Sequence, residues 1–338
     1  MKKILLSMMV LCCALTGKVQ ASTDAVKAVL QHGNQVSVFD GANALVNAIT
    51  AAVDGDVITL SNGQFTPAYI NKSVSIYGAG YENDAETGTL VTCLNGNVFI
   101  GLQGDTLCNV HMEGLYINGI LYAGYANNSN NLVPLKGLTV EKCWLQRGIY
   151  MGGYNESMTV KQCVLNAAIE RGECKNMLIT NCIIFGRVGG SNENSETLVD
   201  HSICTGCDYG NSGTGQRVTW TNSIFTYNRA NYLNVCGIYC VVKNCLTKAV
   251  FGSGTSAENI YNFGDISQVF TDADNADYSA GRTWELQQPD VWIGTDGTQV
   301  GIHGGIGWSK VPRTPVIKNM ELNVEGTQLR INYEAEAR

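Results

Sequence analysis

The chain has 338 residues, 29 acidic against 22 basic, and a net charge of −7. That balance excludes a basic nucleic-acid binder, which carries clustered Lys and Arg on one face. The length suits one large repeat domain or two ordinary ones, and the 38 glycines suit many tight corners.

Residues 1–21 read as a secretory leader. Lys2 and Lys3 precede an apolar run from Ile4 to Leu15, and Val19-Gln20-Ala21 forms a small-residue cleavage site. Cleavage there leaves 19 basic and 29 acidic residues, net −10, and eleven of the 13 cysteines. The expected location is secreted, periplasmic or cell surface. No later stretch is long and apolar enough to span a membrane.

Residues 22–55 are expected to form an N-terminal cap. Thr23 to Leu30 reads as a short helix and Val36-Ser37-Val38-Phe39 as a strand. Ala42 to Val53 is a helix, because Leu45, Ala48, Ile49 and Ala52 fall on one stripe. Asp40 is the expected cap, and Asp54-Gly55 the stop.

From Leu138 to Thr247 one pattern recurs six times. The frames begin at Leu138, Met158, Met177, Thr197, Val218 and Cys240, 19 to 22 residues apart, with a looser copy at Val110. Each reads apolar, any, apolar, polar, polar, small, apolar, apolar. Alternation and β-branched residues mark strands. A fixed period marks a solenoid whose units bury apolar faces against their neighbours. The residues therefore favour an all-β fold, with one coil of short parallel strands per repeat wound as a β-helix over residues 56–310. Residues 311–338 alternate as a C-terminal β-hairpin extension.

The sixth frame position holds Cys143, Cys163, Cys182, Ser202, Ser223 and Cys245. Stacking predicts a column of small buried side chains, and cysteine serves there as a small hydrophobe. The fifth position, with Asn181, Asn222 and Asn244, is the expected left-handed corner. The seventh, from Trp144 to Leu246, then faces outward as an apolar stripe. Such a stripe is a partner surface unless the terminal hairpin covers it. Cys204-x-x-Cys207 and Cys236, Cys240 and Cys245 lack the spacing of a zinc site, so core packing or an incidental disulfide is the better reading.

Gly41-x-x-x-Leu45-x-x-Ala48-Ile49, Asp54-Gly55-Asp56-x-Ile58-x-Leu60, Gly63-x-Phe65 and Lys72-Ser73-x-Ser75-Ile76-x-Gly78-x-Gly80 resemble the entry to the pectin-lyase-like right-handed parallel β-helix superfamily. Val269-Phe270-Thr271-Asp272, Trp284-Glu285-Leu286 and the Gly294 to Gly305 stretch are similar to the closing coils of secreted bacterial β-helix proteins. The resemblance spans residues 36–305. It implies a single-stranded right-handed parallel β-helix with an N-terminal capping helix and closing coils, and carbohydrate as the usual ligand.

No catalytic signature of that superfamily is met. Asn-Thr-Asp, Gly-His-Gly and Arg-Ile-Lys are absent, and Asn192-Glu193 sits alone in a polar loop. Asp200-His201 resembles a pectate lyase pair, but the register makes His201 a corner residue. What remains is a constellation following the sixth position. Arg171, Arg187 and Glu170 are the candidate catalytic residues. Arg147, Tyr150 and Tyr154 are the candidate substrate-binding residues, and Tyr209 offers a further sugar-stacking face. Lys136 to Arg187 carries seven basic and four acidic residues, which suits a uronate or sulfated sugar. The expected function is binding of an acidic polysaccharide, with cleavage by β-elimination as the lyase form. A non-catalytic adhesin and a structural or partner-binding protein are the alternatives. No metal ligands are assigned. Asp272, Asp274 and Asp277 depart from the EF-hand pattern, and their hard oxygens leave calcium as the one candidate cofactor.

Overall fold

The computed structural model describes residues 26–85, 89–170, 172–189, 196–205, 218–226, 240–248, 251, 255–272, 278–279, 281–313, 316–325 and 328–336; for Glu170 and the last two segments it describes the backbone only. The leader, Arg171, Asn192, Glu193, Cys207, Tyr209, Cys236, Asp274 and Asp277 lie outside the described residues.

The protein is predominantly β, built from long parallel sheets with one α-helix among the described residues. The chain visits four sheets in turn. A rung runs from Thr139–Glu141 on sheet 1 to Trp144–Leu145 on sheet 2, Ile149–Met151 on sheet 3 and Asn155–Glu156 on sheet 4, then returns to sheet 1 at Thr159–Lys161. Each strand pairs in parallel with its counterpart one rung away. Among the described residues sheet 1 has twelve strands, sheet 2 ten, sheet 3 five and sheet 4 four.

The repeats explain this directly. Val140, Val160, Ile179, Val199, Trp220 and Val242 are fully buried and sit in register on sheet 1. Their neighbours on either side face out, as a period of two requires. The fifth position turns the corner. Lys142, Gln162, Asn181, His201, Asn222 and Asn244 have φ between 43° and 53°.

The sixth position forms the expected column, and the column is hydrogen-bonded. The Cys143 amide donates to Cys163 Sγ at 3.4 Å, Cys163 to Cys182 Sγ at 3.4 Å and Cys182 to Ser202 Oγ at 3.1 Å. Ser202 donates to Ser223 Oγ at 3.1 Å, and Ser223 to Cys245 Sγ at 3.4 Å. Each side chain also donates to the carbonyl two residues back, as Ser202 does to Asp200 at 2.9 Å. The position therefore asks for a small side chain that both accepts and donates. Burial pushes the Cys245 thiol up to about 12 and the Cys143 and Cys163 thiols well above their ordinary value. These are protonated thiols in a core. Cys240 is also buried and outside any disulfide, whereas Cys204 is disulfide-bonded.

The N-terminus differs from expectation in two details. Where a helix over Thr23 to Leu30 is expected, Lys27–His32 is strand β1, antiparallel to β2 at Gln35–Asp40 and to Val57–Leu60. Val29 and Gln31 alternate with buried Ala28 and Leu30, and the Gly33 turn lets β2 return. Helix α1 spans Ala44–Ala51 and buries Leu45, Ala48 and Ile49 as its stripe predicts. Its N-cap is Asn43, without a side-chain cap bond, while Asp40 pairs with Lys27 instead.

The larger correction concerns the segment read as closing coils. The last strands of sheets 1 and 2 are Ser256–Glu258 and Tyr261–Asn262. The described residues between 263 and 313 add no further rung to these sheets. They fold back as a strap along the outside of sheet 2. Val269, Phe270, Trp284, Leu286, Trp292, Val300 and Ile302 pack with Ile183, Ile203, Ile224 and Leu246 in a second buried cluster. The outward stripe thus exists, and this strap buries it.

The corner side chains hold the strap. Asn244 reaches the Ile293 carbonyl, Asn222 exchanges bonds with Thr295, and Asn181 donates to the carbonyls of Ile302 and Gly304 at 2.8 and 2.7 Å. Gln162 donates to the Gly307 carbonyl at 2.9 Å. The strap descends the rungs one corner at a time. Its glycines serve close approach: a Cβ on Gly304 would lie 2.3 Å from His201 Cδ2, and one on Gly301 2.5 Å from Ile224 Cδ1. The chain ends in the expected antiparallel hairpin, Val316–Glu325 with Gln328–Glu336, in which Leu322 is in register with Ile331 and Val324 with Leu329.

Candidate functional site

The four-sided rung distributes the candidate residues by face. Ile149 and Met151 point into the core, so Tyr150 between them points outward on sheet 3. Its register neighbours are Tyr122 and Phe99 on one side and Glu170 on the other, and Phe99 is level with Tyr69. The result is a column of four aromatic residues up the outside of sheet 3. Phe99 and Tyr122 stack at 4.6 Å between centroids with planes 10° apart. Tyr122 meets Tyr150 edge-on at 5.6 Å and Tyr125 at 5.2 Å. Tyr69, Phe99 and Tyr150 remain partly exposed.

Amide side chains lie on the adjoining corner between sheets 2 and 3. Asn118 donates to Asn95 at 2.9 Å and Asn166 to Gln146 at 3.0 Å. Arg147 follows Gln146. It is exposed and has no ion pair among the described residues. Arg187 lies on the same corner. Ile149 aligns with Ile169, and Ile169 with Val188, so Arg187 is level with Gly148 two rungs away. Two strand spacings separate these levels by about 10 Å. Arg187 is half-buried, and its carbonyl accepts from Ile169 at 2.8 Å.

Sheet 3 therefore brings Tyr150 and Glu170 into adjacent register, with Arg147 and Arg187 on its border. Tyr154 stands apart. It is 71% exposed and lies at the next corner, leading into sheet 4. The basic patch read from residues 136 to 187 does not form one surface. Lys136 pairs with Glu156 on sheet 4, and Lys161 with Glu141 on sheet 1. A rung of four sides turns residues close in sequence onto different faces.

Tyr69, Phe99 and Tyr122 escaped the sequence reading because they precede the regular frames. Their signal was an apolar–aromatic–apolar triplet: Ala68-Tyr69-Ile70, Val98-Phe99-Ile100 and Leu121-Tyr122-Ala123.

Two other ionisable clusters are structural. His111, Glu113 and Glu141 approach one another on sheet 1. Three cations already serve them: Lys142 lies 3.5 Å from Glu113, Lys161 2.8 Å from Glu141, and Arg313 Nη2 3.0 Å from Glu141. Burial raises the Glu113 carboxyl, but bonds from His111 and the Arg313 amide, with Lys142 and Arg313 nearby, hold it below its ordinary value. A carboxyl held ionised is no general acid, so Glu113 does not supply the protonated partner of a glycosidase pair. The donor set, full of cations, does not fit calcium.

His201 is the corner residue expected. It is buried, bonds Asp200 through Nδ1 at 2.9 Å and meets Thr298 Oγ1 through Nε2 at 3.1 Å. Thr298 is fixed by Asp296 and by the Gly305 amide at 2.8 Å. The triad-like order is a strap lock closed to substrate. Asp272 likewise organises a turn, accepting the Thr283 amide at 2.7 Å.

No family model matches this chain, and no curated protein or solved structure matches it either.

Proposed function

We propose that this chain is an exported right-handed parallel β-helix of the pectin-lyase-like kind, and that the outer face of sheet 3 binds an acidic polysaccharide. The observation that carries the binding reading is the column Tyr69, Phe99, Tyr122 and Tyr150, stacked in register along the rungs. Aromatic faces suit the C–H faces of pyranose rings, and the column repeats with the strand spacing of about 4.8 Å. An extended glycan lying along the rungs meets a ring at each level. Arg147 on the border supplies a guanidinium that matches a carboxylate or sulfate.

Cleavage by β-elimination is the second reading. It rests on the register of Glu170 with Tyr150, which sets a carboxylate-bearing residue at the end of the aromatic column, with Arg187 as its neighbour on the corner. Arg171 completes that set in sequence. The adhesin reading shares the binding face without turnover. Reading the apolar stripe as a partner surface loses its exposed area to the strap.

One experiment separates these. The purified protein is titrated against neutral and acidic polysaccharides, and absorbance of unsaturated uronide is followed in the same tubes. Binding reduced at least tenfold in Tyr122→Ala and in Arg147→Glu supports the face. Double-bond formation lost in Arg187→Ala supports the lyase. Glycan binding unchanged in both of the first two variants would exclude the proposal.

A further inference from the structure

Strand β2 is the N-terminal edge of the twelve-stranded sheet 1. It pairs with β1 over six residues in continuous register, without bulge or proline. The opposite edge is only Ser256–Glu258, ending at Asn259 with φ 51°. Natural sheets blunt their edges by shortness, charge, proline or bulges. The C-terminal edge is blunted by shortness and a charge, and the N-terminal edge is not.

The backbone bonds show which groups of β2 face away from β1 among the described residues. Gly41 N donates to Val26 O at 2.8 Å. Antiparallel pairs alternate, so Gln35, Ser37 and Phe39 turn their peptide groups towards β1. Those of Val36 and Val38 point away from it. The same two residues expose their side chains, Val36 by 63% and Val38 by 54%. Val29 lies opposite Val38, and Val57 opposite Gln31, so half-buried valines continue the face on the next two strands.

We propose that β2 is a homodimer surface, on which a second copy of this chain adds its own β2 antiparallel about a two-fold axis. The register follows from the outward groups. Val36 pairs with Val38 of the second copy in both directions, using the outward amides and carbonyls, and Ser37 faces its own symmetry mate. The paired span Gln35 to Phe39 carries no charge. Asp40 lies opposite Asn34 of the second copy and keeps its partner Lys27, so no like charges oppose. The interface is isologous, as a two-fold requires, and it joins two sheets edge to edge with the valines of both copies on one face. Cross-strand β-branched pairs are favourable.

Sedimentation of the purified protein over a concentration series tests this. The expected result is a monomer–dimer equilibrium. Val36→Pro removes one outward amide per copy without touching the β1 pairing. It should weaken the dimer at least about tenfold, since two hydrogen bonds are lost, with the melting temperature of the monomer unchanged. Ser37→Cys should give a reducible covalent dimer under mild oxidation, because non-hydrogen-bonded pairs bring Cα atoms to about 4.5 Å. Asn34→Cys should cross-link no faster than wild type. A protein monomeric throughout, or a dimer that Val36→Pro leaves intact and Ser37→Cys does not trap, overturns the proposal. If Val36→Pro fails to fold, the comparison of Ser37→Cys with Asn34→Cys decides alone.

Discussion

Replacing Ser202 by alanine separates two accounts of the sixth-position column. If smallness alone selects Cys and Ser there, Ser202→Ala is neutral, within about 0.5 kcal/mol, because a buried hydroxyl is exchanged for a methyl of similar bulk. The geometry gives a different answer. Ser202 is fully buried, and its Oγ is the acceptor for the Cys182 amide at 3.1 Å. Alanine leaves that amide buried without a partner, at a cost of about 1–3 kcal/mol. The Asp200 carbonyl also loses a donor, but it still accepts from the Asn181 amide at 3.2 Å and suffers little. The expected loss is therefore about 2 kcal/mol, or about 3 °C in Tm for a chain of this size. Ser202→Cys keeps an acceptor of the kind already present at Cys163 and Cys182, and should cost less than about 1 kcal/mol. Thermal unfolding of the three proteins gives the magnitudes, and hydrogen exchange at the Cys182 amide gives the cause. An unchanged Tm with an equally protected Cys182 amide in Ser202→Ala would refute the hydrogen-bonded column.

Three further outcomes follow from the strap and the thiols. Trp292→Ala empties a nearly buried site in the second cluster; it should cost about 3 kcal/mol, and limited proteolysis should then cut within residues 288–313, where the wild type resists. The Asp200 carboxyl is raised by burial but lowered further by His201, Thr221 and Asn222, and rests below its ordinary 3.8. Its contribution is complete above that value and is lost as pH falls through the lower folded value, so strap protection should fade below about pH 4, and an Asp200→Asn strap with the same acid profile would contradict this. Of the eight cysteines described outside a disulfide, Cys143, Cys163, Cys174, Cys182, Cys240 and Cys245 are buried, and Cys93 and Cys108 are partly exposed. Among these eight, a thiol reagent on native protein should label those two alone, read by peptide mass; labelling of the sixth-position column before unfolding would show the core to be open.

Much of this protein was legible in its residues because the rung is a local object. Period-two alternation determined which side chains of Thr139-Val140-Glu141 face inward. The recurrence of Asn, Gln or His before a small residue determined the corner and the column. Parallel stacking then followed, since like residues one period apart can satisfy each other only in register. Helix α1 was legible for the same reason, through its single apolar stripe.

Tertiary structure decided the rest. Nothing local distinguishes an extended segment that closes a solenoid from one that runs back along its side, because both need apolar residues spaced by glycines. Trp284, Trp292, Val300 and Ile302 lie on the outside of sheet 2 because Ile183, Ile203, Ile224 and Leu246 present a stripe there and the corner amides offer donors to passing carbonyls. The faces were equally hidden. Residues 136 to 187 look like one basic patch in the chain, yet a rung with four sides sends Lys136, Lys161 and Arg147 to three different surfaces. The same folding gathers Tyr69, Phe99, Tyr122 and Tyr150 into one column from irregular intervals, since the loops between rungs vary in length while the strand spacing does not.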